Sequence, residues 1–160
     1  MGEGLENRTQ KETYTESLFY QIRLTAKYLK LLGVQLFEGL NIEIPFEEYI
    51  ALDIINNNEA LCQRDLAKLL IKDRANTGRI INRLSDAGYV EVKIDKRSNR
   101  IVKMLFLTKM GKKFVAETNK RILPYTKHIK DNIDVSYEDK LVQMLKDLRN
   151  KLSELVETQI

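Results

Sequence analysis

The chain has 160 residues, 43% of them hydrophobic and 31% charged, enough to bury one core without cross-links and too balanced for a disordered chain. Its one cysteine, Cys62, and one histidine, His128, exclude an internal disulfide and a cysteine–histidine zinc cage, so no metal and no cofactor is expected. The net charge of +4 is unevenly spread: residues 61–103 hold 11 Lys and Arg against 5 Asp and Glu, a basic segment of the kind that attracts polyanions, nucleic acid first.

The polar opening MGEGLENRTQKE lacks the pattern of a signal peptide, and no apolar run approaches the roughly 20 residues that span a bilayer. A cytoplasmic location without a membrane partner is the expectation. From Thr13 to Phe37, the residues Leu18, Phe19, Ile22, Ala26, Leu29, Leu32 and Leu36 recur at steps of three and four, which predicts an amphipathic helix. Its length exceeds that of an average globular helix and implies packing beyond its own domain. Gly39 to Pro45 forms a break, and Pro45 suits the first turn of a second helix, with Glu47 and Glu48 favourable at its positive end. That helix runs to the turn Asn56-Asn57-Asn58. A short helix follows from about Cys62 to Leu70, and Asp73 can cap a fourth that stops at Gly88.

The period then changes. Tyr89, Val90, Val92 and Ile94 form one β-run, and Ile101, Val102, Met104, Leu105 and Leu107 another. DKRSNR joins them as a hairpin loop of about six residues. Thr108 caps a helix through Gly111, Phe114, Val115 and Ile122 that Pro124 kinks or divides. A last helix starts near Ser136, where Leu141, Met144, Leu145, Leu148, Leu152, Leu155 and Val156 trace an apolar stripe. His128 reads as a surface or interface residue.

Helices followed by a two-stranded hairpin make a winged helix-turn-helix, whose second helix enters the major groove. On a helical wheel of the fourth helix, Ile80, Ile81, Leu84 and Ala87 fall on one side, with Thr77 between them. Ala75, Gly78, Arg79, Asn82 and Asp86 fall opposite. Arg79 can pair bidentately with guanine and Asn82 with adenine. Gly78 and Ala75 would let the helix backbone come close to DNA. Lys72, Arg74 and Arg83 sit at the edges, where phosphates would lie, and Asn76 is assigned to the same face. The hairpin tip would be the wing: Arg97 suits a narrow minor groove, and Lys96, Ser98 and Arg100 the flanking backbone. Asp95, which would repel DNA, reads as a brace accepting hydrogen bonds within the loop. The fold class is mainly α with a small β-hairpin wing.

The wing pattern D-x-R-x-x-R of Asp95, Arg97 and Arg100 resembles that of the MarR family of bacterial transcription regulators. So do DLAKLL, the R-x-x-x-R-L of Arg79, Arg83 and Leu84, and the G-Y-V ending at Val90 within CQRDLAKLLIKDRANTGRIINRLSDAGYVEV. Ala75 and Gly78 depart from it, since members often carry Ser or Thr there. The resemblance implies a homodimer: a single domain over 1–160, with a winged core at about 45–107 and dimerisation helices at about 13–38 and 109–160. Two heads would straddle a pseudo-palindrome in double-stranded DNA, as a repressor relieved by a small aromatic or phenolic effector. Tyr14, Phe19, Tyr20, Tyr28 and Tyr49 are the candidate lining of that pocket.

Two alternatives stand beside this reading. Cys62, at a helix start near Arg64, could make the chain a thiol-based redox-responsive regulator. A winged helix can also serve as a protein-interaction module without DNA. An enzyme is not expected, because the sequence lacks G-x-G-x-x-G, P-loop and G-x-S-x-G motifs and any paired catalytic groups.

Overall fold

The structure, a computed structural model, describes residues 13–58, 61–97, 100–134 and 136–156. The chain divides into two compact units, Met1–Glu43 and Ile44–Ile160.

The first unit holds a 3₁₀ turn, Tyr14–Glu16, and helix α1, Leu18–Gly39. The helix begins later than its apolar period predicts because Ser17 takes the cap, accepting the Tyr20 N–H at 3.3 Å. It ends without using its glycine. Asn41 adopts the left-handed conformation at φ 48°, and the Ile42 N–H donates to the Phe37 carbonyl at 3.0 Å, a Schellman closure. Leu18, Phe19, Tyr28, Leu29, Leu31, Leu32 and Val34 are all exposed.

The second unit is mainly helical with a small sheet, as the sequence predicts. Helix α2 is Phe46–Asn56, α3 Gln63–Leu70 and α4 Arg74–Asp86. Strands β2, Val90–Arg97, and β3, Arg100–Leu107, form the hairpin. Helices α5, Lys109–Asp131, and α6, Glu138–Leu155, follow. A two-residue strand, β1 (Leu61–Cys62), adds to the sheet in the order β1-β3-β2, with Leu61 opposite Leu105 and Cys62 opposite Met104. Sequence periodicity cannot reveal a strand of two residues. The sheet base lies in the core, where Leu52 of α2, Leu66 of α3, Leu84 of α4, Leu105 of β3 and Val115 of α5 are fully buried.

The hairpin differs from expectation. Pairing runs unbroken from Val90 opposite Leu107 to Arg97 opposite Arg100. Most of DKRSNR is therefore strand. A wing that stands clear of the core has no apolar alternation to announce it, so charged residues there read as loop. Pro124 does not divide α5, which continues past it to Asp131. One lost N–H costs the helix less than the continuity of its other bonds gains.

Two junctions fix the wing to its neighbours. Gly88 closes α4 at φ 77°, with the Tyr89 N–H donating to the Leu84 carbonyl at 2.9 Å. Thr108 Oγ1 donates to the Gly88 carbonyl at 2.7 Å and accepts the Gly111 N–H at 3.0 Å, capping α5. At Gly111 a Cβ would lie 2.2 Å from the Tyr89 carbonyl oxygen, so only glycine allows α5 to start this close to β2.

Candidate nucleic-acid interface

Helices α3 and α4 are joined by a three-residue turn that closes in the Schellman manner. The Lys72 N–H donates to the Ala67 carbonyl at 3.0 Å, and Ile71 takes the left-handed position at φ 50°. A β-branched side chain is strained there. Asp73 then caps α4, accepting the Asn76 N–H at 2.7 Å.

The wheel of α4 holds in outline. Thr77, Ile80, Ile81 and Leu84 are buried, while Arg74, Ala75, Asn76, Arg79, Asn82 and Asp86 are exposed. Ala87 corrects it: this residue is the C-cap, one step past the helix, and is exposed. Gly78 is half-exposed. A Cβ there would meet Gln63 Nε2 of α3 at 3.2 Å, and that nitrogen reaches the Arg74 carbonyl at 3.4 Å. The space beside Gly78 is thus bounded on one side by the end of a flexible side chain from α3.

Two of the assigned cations are already engaged by the first turn of α2. Lys72 Nζ lies 3.2 Å from Glu47 Oε2, and Arg83 Nε lies 2.5 Å from Glu48 Oε1. The Glu48 side chain is only 7% exposed against 57% for Arg83, so Arg83 holds a buried carboxylate as well as facing solvent. Sequence reasoning placed Glu47 and Glu48 at a helix dipole and missed this use. The signal available was their count: two acids at the start of a helix packed beside a basic pair.

On the outward face, three polar residues are linked. The Asn76 side-chain amide donates to the second Asp73 oxygen, and Arg79 Nη2 donates to Asn76 Oδ1 at 2.9 Å. The Asn76 backbone N–H and then its side-chain amide hold the Asp73 carboxyl below the usual carboxylate range, and the Arg79 charge acts in the same direction.

In the wing, Lys96, Arg97 and Arg100 are placed by backbone register, with Lys96 opposite Ile101 and Asp95 opposite Val102. Ser98 lies outside the described residues. Asp95 is exposed. Among the candidate effector residues, Tyr14 and Tyr20 meet edge to face with centroids 5.3 Å apart, and the Arg23 guanidinium lies 5.4 Å from the Tyr20 centroid. Phe19 and Tyr28 are exposed on α1. Tyr49 lies in the second unit, where it is buried on α2 and donates its hydroxyl hydrogen to Asn119 of α5. The other four aromatics belong to the first unit. Cys62 is buried, and its thiol donates to Asp65 Oδ2 at 2.8 Å.

Among the described residues, no group of three or more His, Cys, Asp or Glu is placed to hold a metal ion, and no helix is long and apolar enough to cross a membrane.

Comparison with known proteins bears on residues 46–102, which match the model of the MarR family. No curated protein matches the chain. Among solved structures, a MarR/EmrR family transcriptional regulator from Acinetobacter sp. ADP1 superposes with a TM-score of 0.73 at 22% identity, over 85% of this chain and 94% of that one. BpsR of Bordetella bronchiseptica, whose DNA binding is regulated by 6-hydroxynicotinic acid, gives 0.71 at 17% identity over 88% and 98%. The transcriptional repressor CouR, bound to a 23-mer DNA duplex, gives 0.71 at 17% identity over 84% and 94%. Residues 46–102 thus match the MarR family model, within a fold that the chain shares with these solved structures.

Proposed function

We propose that this chain is a homodimeric, DNA-binding transcription repressor that grips a pseudo-palindromic operator and is released by a small aromatic effector. One observation carries the reading. Helix α4 buries its apolar face and leaves Arg74, Asn76, Arg79 and Asn82 exposed, next to a hairpin whose register pairs Arg97 with Arg100. A helix of this kind suits a major groove, and a wing of this kind the adjacent minor groove. CouR, of the same fold, is bound to a DNA duplex, which agrees with this reading.

Dimerisation is supported by apolar area that one chain leaves uncovered. On α6, Leu141, Met144, Leu145, Leu152 and Leu155 are exposed, as are Leu123 and Ile129 of α5. Patches of this extent mark interaction surfaces, and a two-fold axis would set two α4 helices about one DNA turn, roughly 34 Å, apart. The effector class follows the example of BpsR and 6-hydroxynicotinic acid, with Tyr14, Phe19, Tyr20 and Tyr28 as the aromatic residues offered.

The test is titration of a labelled duplex bearing a site selected from the source genome. Arg97→Ala should weaken binding at least about tenfold, the scale of losing one well-placed charged contact, while leaving the sedimentation of the free protein unchanged. Equal affinity for both proteins would remove the wing from the interface.

A further inference from the structure

The outward face of α4 carries a chain of hydrogen bonds in which each member has one possible role. Asp73, Asn76 and Arg79 stand at steps of three, so their side chains are neighbours on one helix face. The Asp73 carboxylate only accepts, and the Arg79 guanidinium only donates. Asn76 joins them: its amide hydrogen goes to Asp73, and its carbonyl oxygen accepts from Arg79 Nη2 at 2.9 Å. The carboxamide is therefore fixed in one orientation, because the flipped form would set donor against donor and acceptor against acceptor. Each half of the carboxamide has one bond inside the protein, which ties its plane to Asp73 and Arg79 and leaves one amide hydrogen and one lone pair for any other partner. Arg79 spends one N–H on this bond and keeps four for a partner.

We infer that Asn76 is a positioning residue for sequence recognition: the Asp73–Asn76 pair aims the Arg79 guanidinium, and the three together set the preference for guanine at one base pair of each half-site. The inference rests on the DNA-binding reading above. An unrestrained arginine on an exposed helix has four rotatable bonds and can satisfy many acceptors. One already tethered at a fixed height along the helix presents its remaining N–H groups in one plane, which is what separates guanine from the other bases. The ionised state of Asp73, favoured by the Asn76 bonds and the Arg79 charge, keeps the chain of bonds pointing in this direction.

The experiment is a specificity scan of the full chain. A site is selected from a random duplex library, each base pair of its half-site is replaced in turn, and affinities are read by fluorescence anisotropy for wild type, Asn76→Ala, Arg79→Ala and the double variant. Helix α4 should survive Asn76→Ala, since its cap uses the backbone N–H of residue 76; circular dichroism checks this, and Asn76→Ser provides a second variant. Wild type should discriminate guanine at one position by about tenfold or more. Asn76→Ala should lose most of that discrimination at the same position as Arg79→Ala, and the double variant should be no worse than Arg79→Ala. If Asn76→Ala and Asn76→Ser relax a different base pair, or add to the effect of Arg79→Ala, then Asn76 reads DNA itself and the inference fails. Discrimination unchanged in both variants overturns it as well, while leaving DNA binding intact. A wild-type chain that selects no sequence overturns both this inference and the reading beneath it.

Discussion

Arg83 shows how a residue's surroundings decide its energetic weight. Its guanidinium is more than half exposed, whereas its partner Glu48 is nearly buried, so the two ends of the bond are not equivalent. Removing Glu48 leaves a cation that water can solvate. Removing Arg83 leaves a buried carboxylate without its partner, the more expensive error. Arg83→Ala should therefore lower unfolding stability by about 2–3 kcal/mol and Glu48→Gln by about 1 kcal/mol. Urea denaturation measures both, and equal effects would contradict a structural role for Arg83. Tyr49 gives a pH signature. Burial first, and the Asp53 charge second, push its hydroxyl up from 10.0 to about 12. Because the folded value lies above the unfolded one, this contribution to stability is complete below pH 10 and is lost as pH rises through about 12. Tyrosinate absorbance should contain a component titrating near 12 that disappears in Tyr49→Phe.

Among the elements, the junction between β2 and α5 is the most constrained. Gly111→Ala places a methyl group against the Tyr89 carbonyl, and the backbone must shift to admit it, at about 1–3 kcal/mol. Gly39→Ala, where a Cβ would meet nothing within 4 Å, should be neutral or stabilising by up to about 1 kcal/mol. Thermal unfolding should fall for Gly111→Ala and hold or rise for Gly39→Ala; no loss in Gly111→Ala would mean the packing there is slack. The same elements show what the sequence disclosed. The cap at Asp73, the glycine at Gly88 and, Ala87 apart, the buried face of α4 follow from local pattern and appear where the pattern puts them. Strand β1 is invisible because two residues carry no period. The charged end of β2 reads as loop because its residues carry no apolar alternation. The neighbourhood of Gly78 and Gln63 is hidden because the two lie fifteen residues apart in sequence. The pairings of Glu47 and Glu48 are hidden for the same reason: contacts between elements leave no mark on a one-dimensional pattern.

The whole molecule joins two features. The basic segment identified by composition folds into one helix-turn-helix and wing, and the segments outside it carry exposed apolar stripes on α1, α5 and α6. Two chains sharing those stripes would hold two winged heads at a fixed separation, and affinity would depend on both heads engaging at once. Sedimentation velocity of the full chain with a selected duplex and with a scrambled one, at about 0.15 M salt, tests this most directly. The account predicts a dimer that binds the selected duplex at two chains per duplex and leaves the scrambled one free. One chain per duplex, or equal binding to both duplexes, would contradict it.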